Sequence, residues 1–308
     1  INAAIKYILL FQCAFSISLT QHKGDVFVKQ GVYAFFNYEF EKSIEILSKA
    51  RSAYPDHPVV HVVWAAAWYH FDQSMYSADS GYSNFEKRLN EIEFLYDSLV
   101  VAYPDNFEYL LYLGTSQSLK ARIYLGEKKY LSTFYVAYKG FKSIQKSEQG
   151  ADIAKDVYLP IGVIEWYAGL KNPFIQIAAR SMGINPSRKE GIKKMEVAAN
   201  ESAWAWIEAM SILSITYQFF DLNKEKGLLT SETVSKKFPD NFGYGLYYAL
   251  GLMQNGKIDE AKKKLKYLDM QSSAQRPYHQ KRYKPYLSYL WGNYYFLTEN
   301  NNNLAATN

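Results

Sequence analysis

One short phrase occurs three times in this chain and limits what the chain can fold into. An aromatic residue, a proline and an aspartate follow one another at residues 54–56, 103–105 and 238–240, each time after a stretch with helical periodicity. The second and third copies continue identically, with asparagine and phenylalanine. Proline ends a helix because it lacks an N–H group, and aspartate favours the start of the next one. The recurrence of this three-residue phrase predicts stacked helical hairpins, an architecture called an α-solenoid.

The composition agrees with an all-α fold. The chain has 308 residues, of which 48% are hydrophobic, so it can bury a substantial core. Glycine and proline are sparse, at 17 and 9 residues, which argues against long linkers and against a turn-rich β fold. The net charge of +5 forms no basic stripe along the sequence, so nucleic acid is not an expected partner.

The first hairpin carries the pattern of a known repeat. Small or apolar residues stand at Gly31, Ser43, Leu47 and Ala50, and Pro55 closes the second helix. This spacing resembles the tetratricopeptide repeat, in which small residues let the two helices of a hairpin cross closely. The resemblance implies a right-handed α-solenoid whose concave face is lined by the first helix of each hairpin.

The resemblance extends over most of residues 24–297. In the last repeat it rests on the following residues: Tyr247, Leu250, Gly251, Ala261 and Leu265. The middle segment is similar to the divergent tetratricopeptide family of a fungal inclusion-body clearance protein and its bacterial counterparts. That similarity rests on the following residues: Gly162, Trp166, Tyr167, Pro173, Gly183, Arg188, Gly191, Ile192, Ala198 and Ala199. Both resemblances imply protein–protein interaction and no known catalysis.

These patterns predict one helical-repeat domain over residues 21–299. Its hairpins are expected at about 24–55, 58–104, 106–147, 153–200, 203–239 and 241–270, followed by a capping helix at 284–297. In the second hairpin a polar stretch, residues 72–82, is expected to interrupt the helices. Ser83 and Glu86 are then predicted to form a capping box that opens the next helix. The polar tail 300–308 is predicted to be disordered.

The N-terminal residues have the pattern of an export signal. One lysine precedes a short apolar run within residues 6–19, which predicts a signal peptide over 1–20 and export to the periplasm or cell envelope. A buried first helix is the alternative. Gln12 precedes Cys13, the single cysteine, where a lipoprotein signal has a small residue, so lipidation is not expected. The sequence does not decide whether the segment is cleaved, or whether a chain that begins with Ile1 is a fragment.

The predicted function is to hold a protein or peptide in the concave groove, without catalysis. Association with the cell envelope is a further expectation. Polar and aromatic positions of the first helices are the candidate contact residues: Asn37, Trp68, Tyr112, Gln117, Glu165 and Gln254.

Two alternatives involve glycans. A glycan-binding protein would stack sugar rings on exposed tryptophans, so the burial of the six indoles discriminates: Trp64, Trp68, Trp166, Trp204, Trp206 and Trp291. A glycan-cleaving enzyme would need a pocket around an isolated, desolvated acid such as Glu165. A carboxylate that is buried and paired with a lysine or arginine is the simpler expectation for this residue.

No metal or cofactor is predicted. His57 and His61 are four residues apart, a spacing that can chelate a metal on one helix, but Pro58 places His57 in the preceding turn. No third ligand is obvious, although Asp56 is adjacent to His57, and no glycine-rich phosphate loop follows a strand.

Overall fold

The computed structural model describes residues 22–75, 78–152, 154–274 and 277–299, and throughout them the regular structure is helical, with no strand. The all-α prediction is therefore confirmed. Fourteen α-helices follow one another in these ranges: α1 Asp25–Phe36, α2 Phe40–Ala53, α3 Val60–Met75, α4 Ala78–Ala102, α5 Phe107–Gly126, α6 Tyr130–Ser147, α7 Tyr158–Gly169, α8 Pro173–Ser181, α9 Arg188–Glu201, α10 Trp206–Ile215, α11 Lys224–Lys237, α12 Phe242–Gln254, α13 Ile258–Ala274 and α14 Pro277–Glu299.

Successive helices pack as neighbours along the chain. The most extensive contacts join α5 to α6, α7 to α9, and α1 to α2, while the short helix α8 is an excursion between α7 and α9. A single turn of 3₁₀ helix precedes α7, and α10 continues into one π-helical turn, Thr216–Phe220. The predicted signal peptide, residues 1–20, and the predicted disordered tail, 300–308, lie outside the described residues.

The first hairpin shows why the sequence places small residues where it does. The hydroxyl of Ser43 on α2 donates to the carbonyl of Gly31 on α1 at 2.8 Å. A side chain at Gly31 would overlap Leu47, which is fully buried with Ala50. The two helices can therefore approach this closely only because Gly31 and Ser43 are small.

Each proline–aspartate phrase ends one helix and leads into the next. The phrases follow α2, α4 and α11. After the second and third phrases, Asn106 and Asn241 cap α5 and α12, because their side-chain oxygens accept backbone N–H groups of Glu108 and Tyr244. The repeated asparagine thus supplies the hydrogen-bond acceptor that a helix start requires.

The helix array closes on itself. Asn37, in the turn after α1, donates to the carboxylate of Asp240 at 3.0 Å and accepts the Asp240 backbone N–H at 3.1 Å. Asn241 donates to the carbonyl of Phe36, and the hydroxyls of Tyr38 and Tyr283 lie 2.6 Å apart. Helix α14 also contacts α3. One buried cluster consequently includes residues from α1 through α12, and the array surrounds an interior.

The second hairpin differs from its predicted form. Helix α4 begins at Ala78, so Ser83 and Glu86 lie inside the helix and do not form its start. The ring of Tyr69 on α3 stacks on Phe85 at 4.3 Å and on Tyr82 at 6.1 Å. Packing of these rings continues the helix through part of the polar stretch that was expected to interrupt it.

No helix in the described ranges is both long enough and apolar enough to span a bilayer.

Acidification is expected to destabilise the fold through His61, in the first turn of α3. Its Nδ1 accepts the Arg51 Nε–H at 3.1 Å, and its Nε2 donates to the carbonyl of Pro55 at 2.9 Å, which fixes a neutral imidazole. Burial lowers the pKa of His61 to about 4, and the charge of Arg51 acts in the same direction. A histidine whose folded-state pKa lies below its unfolded value loses stability as the pH falls from about 6.5 towards 4.

The measurement is urea unfolding at pH 7 and pH 4 for wild type and His61→Gln, since glutamine keeps one acceptor and one donor but does not titrate. The wild type should lose as much as about 3 kcal/mol more than the variant between the two pH values. Equal losses in both proteins would contradict this assignment.

Candidate functional site

Two charged side chains reach the interior from opposite parts of the chain. Arg122 on α5 and Glu208 on α10 are both exposed to solvent, and the charge of Arg122 reaches the Glu208 carboxyl. Desolvation raises the pKa of the Glu208 carboxyl, and the positive charge of Arg122 opposes this rise. The Glu208 carboxyl is therefore accessible to water, in surroundings that disfavour its charged form.

Histidine and arginine side chains of two further helices extend this charged interior. His70 on α3 stacks on Phe40 at 5.8 Å, and burial lowers its pKa to about 4, with Arg282 of α14, His279 and Arg122 acting in the same direction. Residues 70, 122, 208 and 282 are far apart in sequence. Closure of the array brings their charges within electrostatic reach of one another.

A cleft of ≈ 430 Å³ lies between the turn after α10, α12 and α14, and of these four residues Arg282 lines it. Its lining is mainly aromatic and aliphatic: Phe219, Gly243, Leu246, Tyr247, Leu250, Arg282, Tyr283, Pro285, Tyr286, Tyr289 and Leu290. Tyr286 and Tyr289 are exposed, whereas Tyr247 is half-buried. Rings with polar edges beside the positive charge of Arg282 can bind an apolar group and orient a polar one.

A second cleft, of ≈ 650 Å³, lies at the turn before α5 and is bordered by His22 and Glu108. Two of its polar groups, His22 and Glu108, are paired with each other. His22 Nε2 lies 2.7 Å from a Glu108 carboxylate oxygen, and this hydrogen bond raises the pKa of His22 although burial opposes it. Behind it, the buried His57 donates from Nε2 to Asp25 at 3.0 Å and accepts the Val59 N–H at Nδ1. This network ties α1 to α3 and α5 and leaves little polar capacity for a ligand.

The residues predicted from sequence are not gathered in one place. Among the described residues no hydrogen bond or ring contact joins any two of the six. Asn37 binds Asp240 at the closure, Tyr112 stacks on Tyr96, and Arg88 lies over Trp68 at 4.7 Å. Gln254 donates to the carbonyl of Gln218, and Gln117 is 1% exposed.

Several of these six residues carry polar atoms that are covered and lack a hydrogen-bond partner among the described residues: Trp68 Nε1, Gln117 Oε1 and Nε2, Glu165 Oε2 and Gln254 Oε1. A partner could not reach those atoms in this conformation. The six residues stay predicted contacts, and Tyr247, Arg122 and Glu208 are the better-placed candidates.

Glu208 is not among the six contact residues predicted from sequence, although its sequence context indicates an unusual position. Between residues 203 and 220 it is the only charged side chain in a strongly apolar stretch. A lone charge in an apolar helix either pairs inside the core or faces an interior space. The sequence does not show which of these two applies to Glu208, because only the fold brings Arg122 within electrostatic reach of it.

Glu165 is buried and paired, the simpler of the two expectations from sequence. Its Oε1 accepts from Lys194 Nζ at 2.8 Å, between α7 and α9. Desolvation favours the neutral amine of Lys194, but the carboxylates of Glu165 and Glu148 raise the pKa of Lys194 overall. The structure therefore does not offer Glu165 as an isolated acid.

The six tryptophans are all covered at least in part. Trp166 and Trp204 are buried, and the other four are half-buried. Arg51 stacks over Trp64 at 3.8 Å, and Tyr295 stacks on Trp291 at 5.7 Å. Because other side chains already occupy these indole faces, they are poor platforms for sugar rings.

In the described ranges no group of three or more histidine, cysteine, aspartate or glutamate side chains is arranged to hold a metal ion.

Known proteins do not connect this chain to a family. No protein-family model matches it, and no curated protein or solved structure is significantly similar to it. The tetratricopeptide resemblance therefore stays a prediction, and the geometry of the interior is the main guide to function.

Proposed function

We propose that this protein is a right-handed α-solenoid of tetratricopeptide type that holds a peptide segment of a protein partner in its interior cleft, without catalysis of its own. The observation that carries the proposal is the tyrosine-lined cleft between α12 and α14, together with the carboxylate of Glu208, whose charge reaches Tyr244 on α12. The N-terminal sequence pattern adds the proposal that the protein works in the cell envelope.

The chemistry of the cleft indicates what such a segment contains. Tyrosine rings offer a large apolar surface with little side-chain entropy to lose, so Tyr247, Tyr286 and Tyr289 suit an aliphatic or aromatic side chain. Glu208 and Arg122 present opposite charges and would orient charged groups that flank it. We expect a short segment with an apolar residue between a basic and an acidic one.

Peptide display on the full chain tests the proposal. A random peptide library is selected on the wild type, and the enriched peptides are measured by calorimetry against Tyr247→Ala, Glu208→Gln and Tyr103→Ala. Each of the first two substitutions should weaken binding about tenfold or more, the effect typical of a central contact residue. Tyr103→Ala is the matched control, because Tyr103 is an exposed tyrosine of the other cleft.

Three outcomes would contradict the proposal. Peptides that bind all the variants equally would place recognition elsewhere, and selective loss in Tyr103→Ala would move it to the cleft at His22. Retention of the protein on polysaccharide, with no peptide enriched, would favour the glycan-binding alternative.

A further inference from the structure

Helix α6 presents an apolar stripe to solvent. Leu131, Phe134, Tyr135 and Tyr138 recur at the spacing of one helix face, and all four are exposed, Leu131 at 89%. The opposite side of α6 packs on α5. An apolar stripe on a surface helix normally packs against the core. The stripe on the outer side of α6 has no such packing partner among the described residues.

Helix α8 presents a second apolar surface. Phe174, Ile175 and Ile177 are exposed, Phe174 at 84%, and Ala179 is the buried residue of the helix. The side chain of Asn172 caps its start by accepting the Ile175 N–H. This nine-residue helix thus turns most of its apolar side chains to solvent.

Two hydrogen bonds hold α8 beside α6. Lys142 on α6 donates to the carbonyl of Met182 at 3.2 Å, and Gln145 donates to the carbonyl of Gly183 at 2.9 Å, just beyond the end of α8. Lys142 and Gln145 follow Tyr138 at the i+4 and i+7 positions of the same helix face, so the end of α8 lies beside the end of the stripe. We name the exposed apolar residues of these two helices together the α6–α8 face.

The segments that form this face are rich in lysine and arginine, although Lys129 pairs with Glu127 and Arg188 with Asp221. Residues 128–147 and 166–189 contain nine lysines and arginines and no aspartate or glutamate. Lys139 and Arg180 are exposed, the first on α6 and the second on α8. The chain as a whole carries only +5, so these two segments concentrate positive charge around exposed phenylalanine and tyrosine.

We infer that the α6–α8 face docks on an anionic lipid bilayer. Apolar side chains on one side of a short helix, a rim of lysine and arginine, and tyrosines at the boundary are the features that place a helix in the headgroup region. Anionic headgroups supply a charge complement to the exposed Lys139 and Arg180. The attachment is peripheral, and it is independent of the ligand in the interior cleft.

A local fluorescent probe tests this inference in the full chain. In a Cys13→Ser background, Ile177→Cys carries an environment-sensitive NBD label, and Leu229→Cys, another exposed aliphatic position, carries the same label as a control. Vesicles of phosphatidylcholine with an equal share of phosphatidylglycerol should shift the emission of the label at 177 to the blue. The label at 229 should not respond, and pure phosphatidylcholine should have little effect. Because the label is local, membrane binding by the N-terminal segment alone would not reproduce this pattern.

Charge reversal gives the matched comparison. Lys139→Glu with Arg180→Glu should raise the lipid concentration at half-maximal shift about tenfold or more. Lys263→Glu with Lys266→Glu, exposed positions on α13, changes the net charge equally and should have little effect. An unchanged label at 177 on anionic vesicles would overturn the inference. So would a shift on adding unlabelled protein without lipid, which would show that a second copy of the chain covers the face.

Discussion

Replacing Asp156 by alanine should destabilise the protein by about 4 kcal/mol, because the change leaves three N–H groups, one buried and two part-buried, without an acceptor. The Asp156 carboxylate accepts the backbone N–H groups of Ala203, Trp204 and Ala205 at 3.3, 2.9 and 2.7 Å. These groups stand at the start of α10, where a helix has no internal acceptor for them. Burial raises the pKa of Asp156, and the three N–H groups act against that rise.

Asparagine at position 156 is the control. It keeps an oxygen acceptor of the same shape, so Asp156→Asn should lose about half as much stability as Asp156→Ala. Urea unfolding followed by circular dichroism at pH 7 measures both. An alanine variant as stable as the wild type would mean that the start of α10 does not depend on this side chain.

Gly191→Val is expected to be comparably damaging, at about 4 kcal/mol, through overpacking of two helices. A Cβ atom at Gly191 on α9 would lie 2.5 Å from the Trp166 backbone nitrogen and 2.6 Å from the Gly162 carbonyl oxygen on α7. Backbone atoms cannot move aside as side-chain ends can. The helices would have to separate and loosen the packing of Met195, which is fully buried.

A second glycine supplies a control of opposite sign. A Cβ atom at Gly81, inside α4, would meet its nearest neighbour, Gln73 Cγ, at an ordinary 3.5 Å. Gly81→Ala should therefore stabilise the protein by about 0.5–1 kcal/mol, because alanine restricts the unfolded chain and favours a helix. Thermal and urea unfolding measure the free energy of unfolding of both variants. A Gly191→Val variant as stable as the wild type would show that α7 and α9 do not cross tightly.

The local chemistry of the sequence determined much of the helical structure. The proline–aspartate phrases end α2, α4 and α11 because proline cannot continue a helix, whatever surrounds it. Gly31 and Ser43 indicated the close crossing of α1 and α2, since only small side chains permit it. Such signals act within one hairpin, so they can be recognised without knowing the rest of the fold.

Where packing between distant residues competes with a local signal, the prediction from sequence was wrong. Ser83 and Glu86 have the pattern of a helix start, but α4 begins earlier, because the rings of Tyr82 and Phe85 stack on Tyr69 of the neighbouring helix. The polar residues of this stretch look like a loop only when that partner is unknown. Tertiary contacts outweigh a capping preference of this size.

The sequence by itself determined that this protein is a chain of helices, where several of them end and which small residues let them cross, because those properties depend on neighbours within a hairpin. Only the tertiary structure decided that Asn37 and Asp240 close the array, and that Arg122 and Glu208 face one interior. It also decided that the apolar stripe of α6 faces outwards. Contacts between residues 203 positions apart depend on the summed angles of many helix packings, which no local pattern encodes.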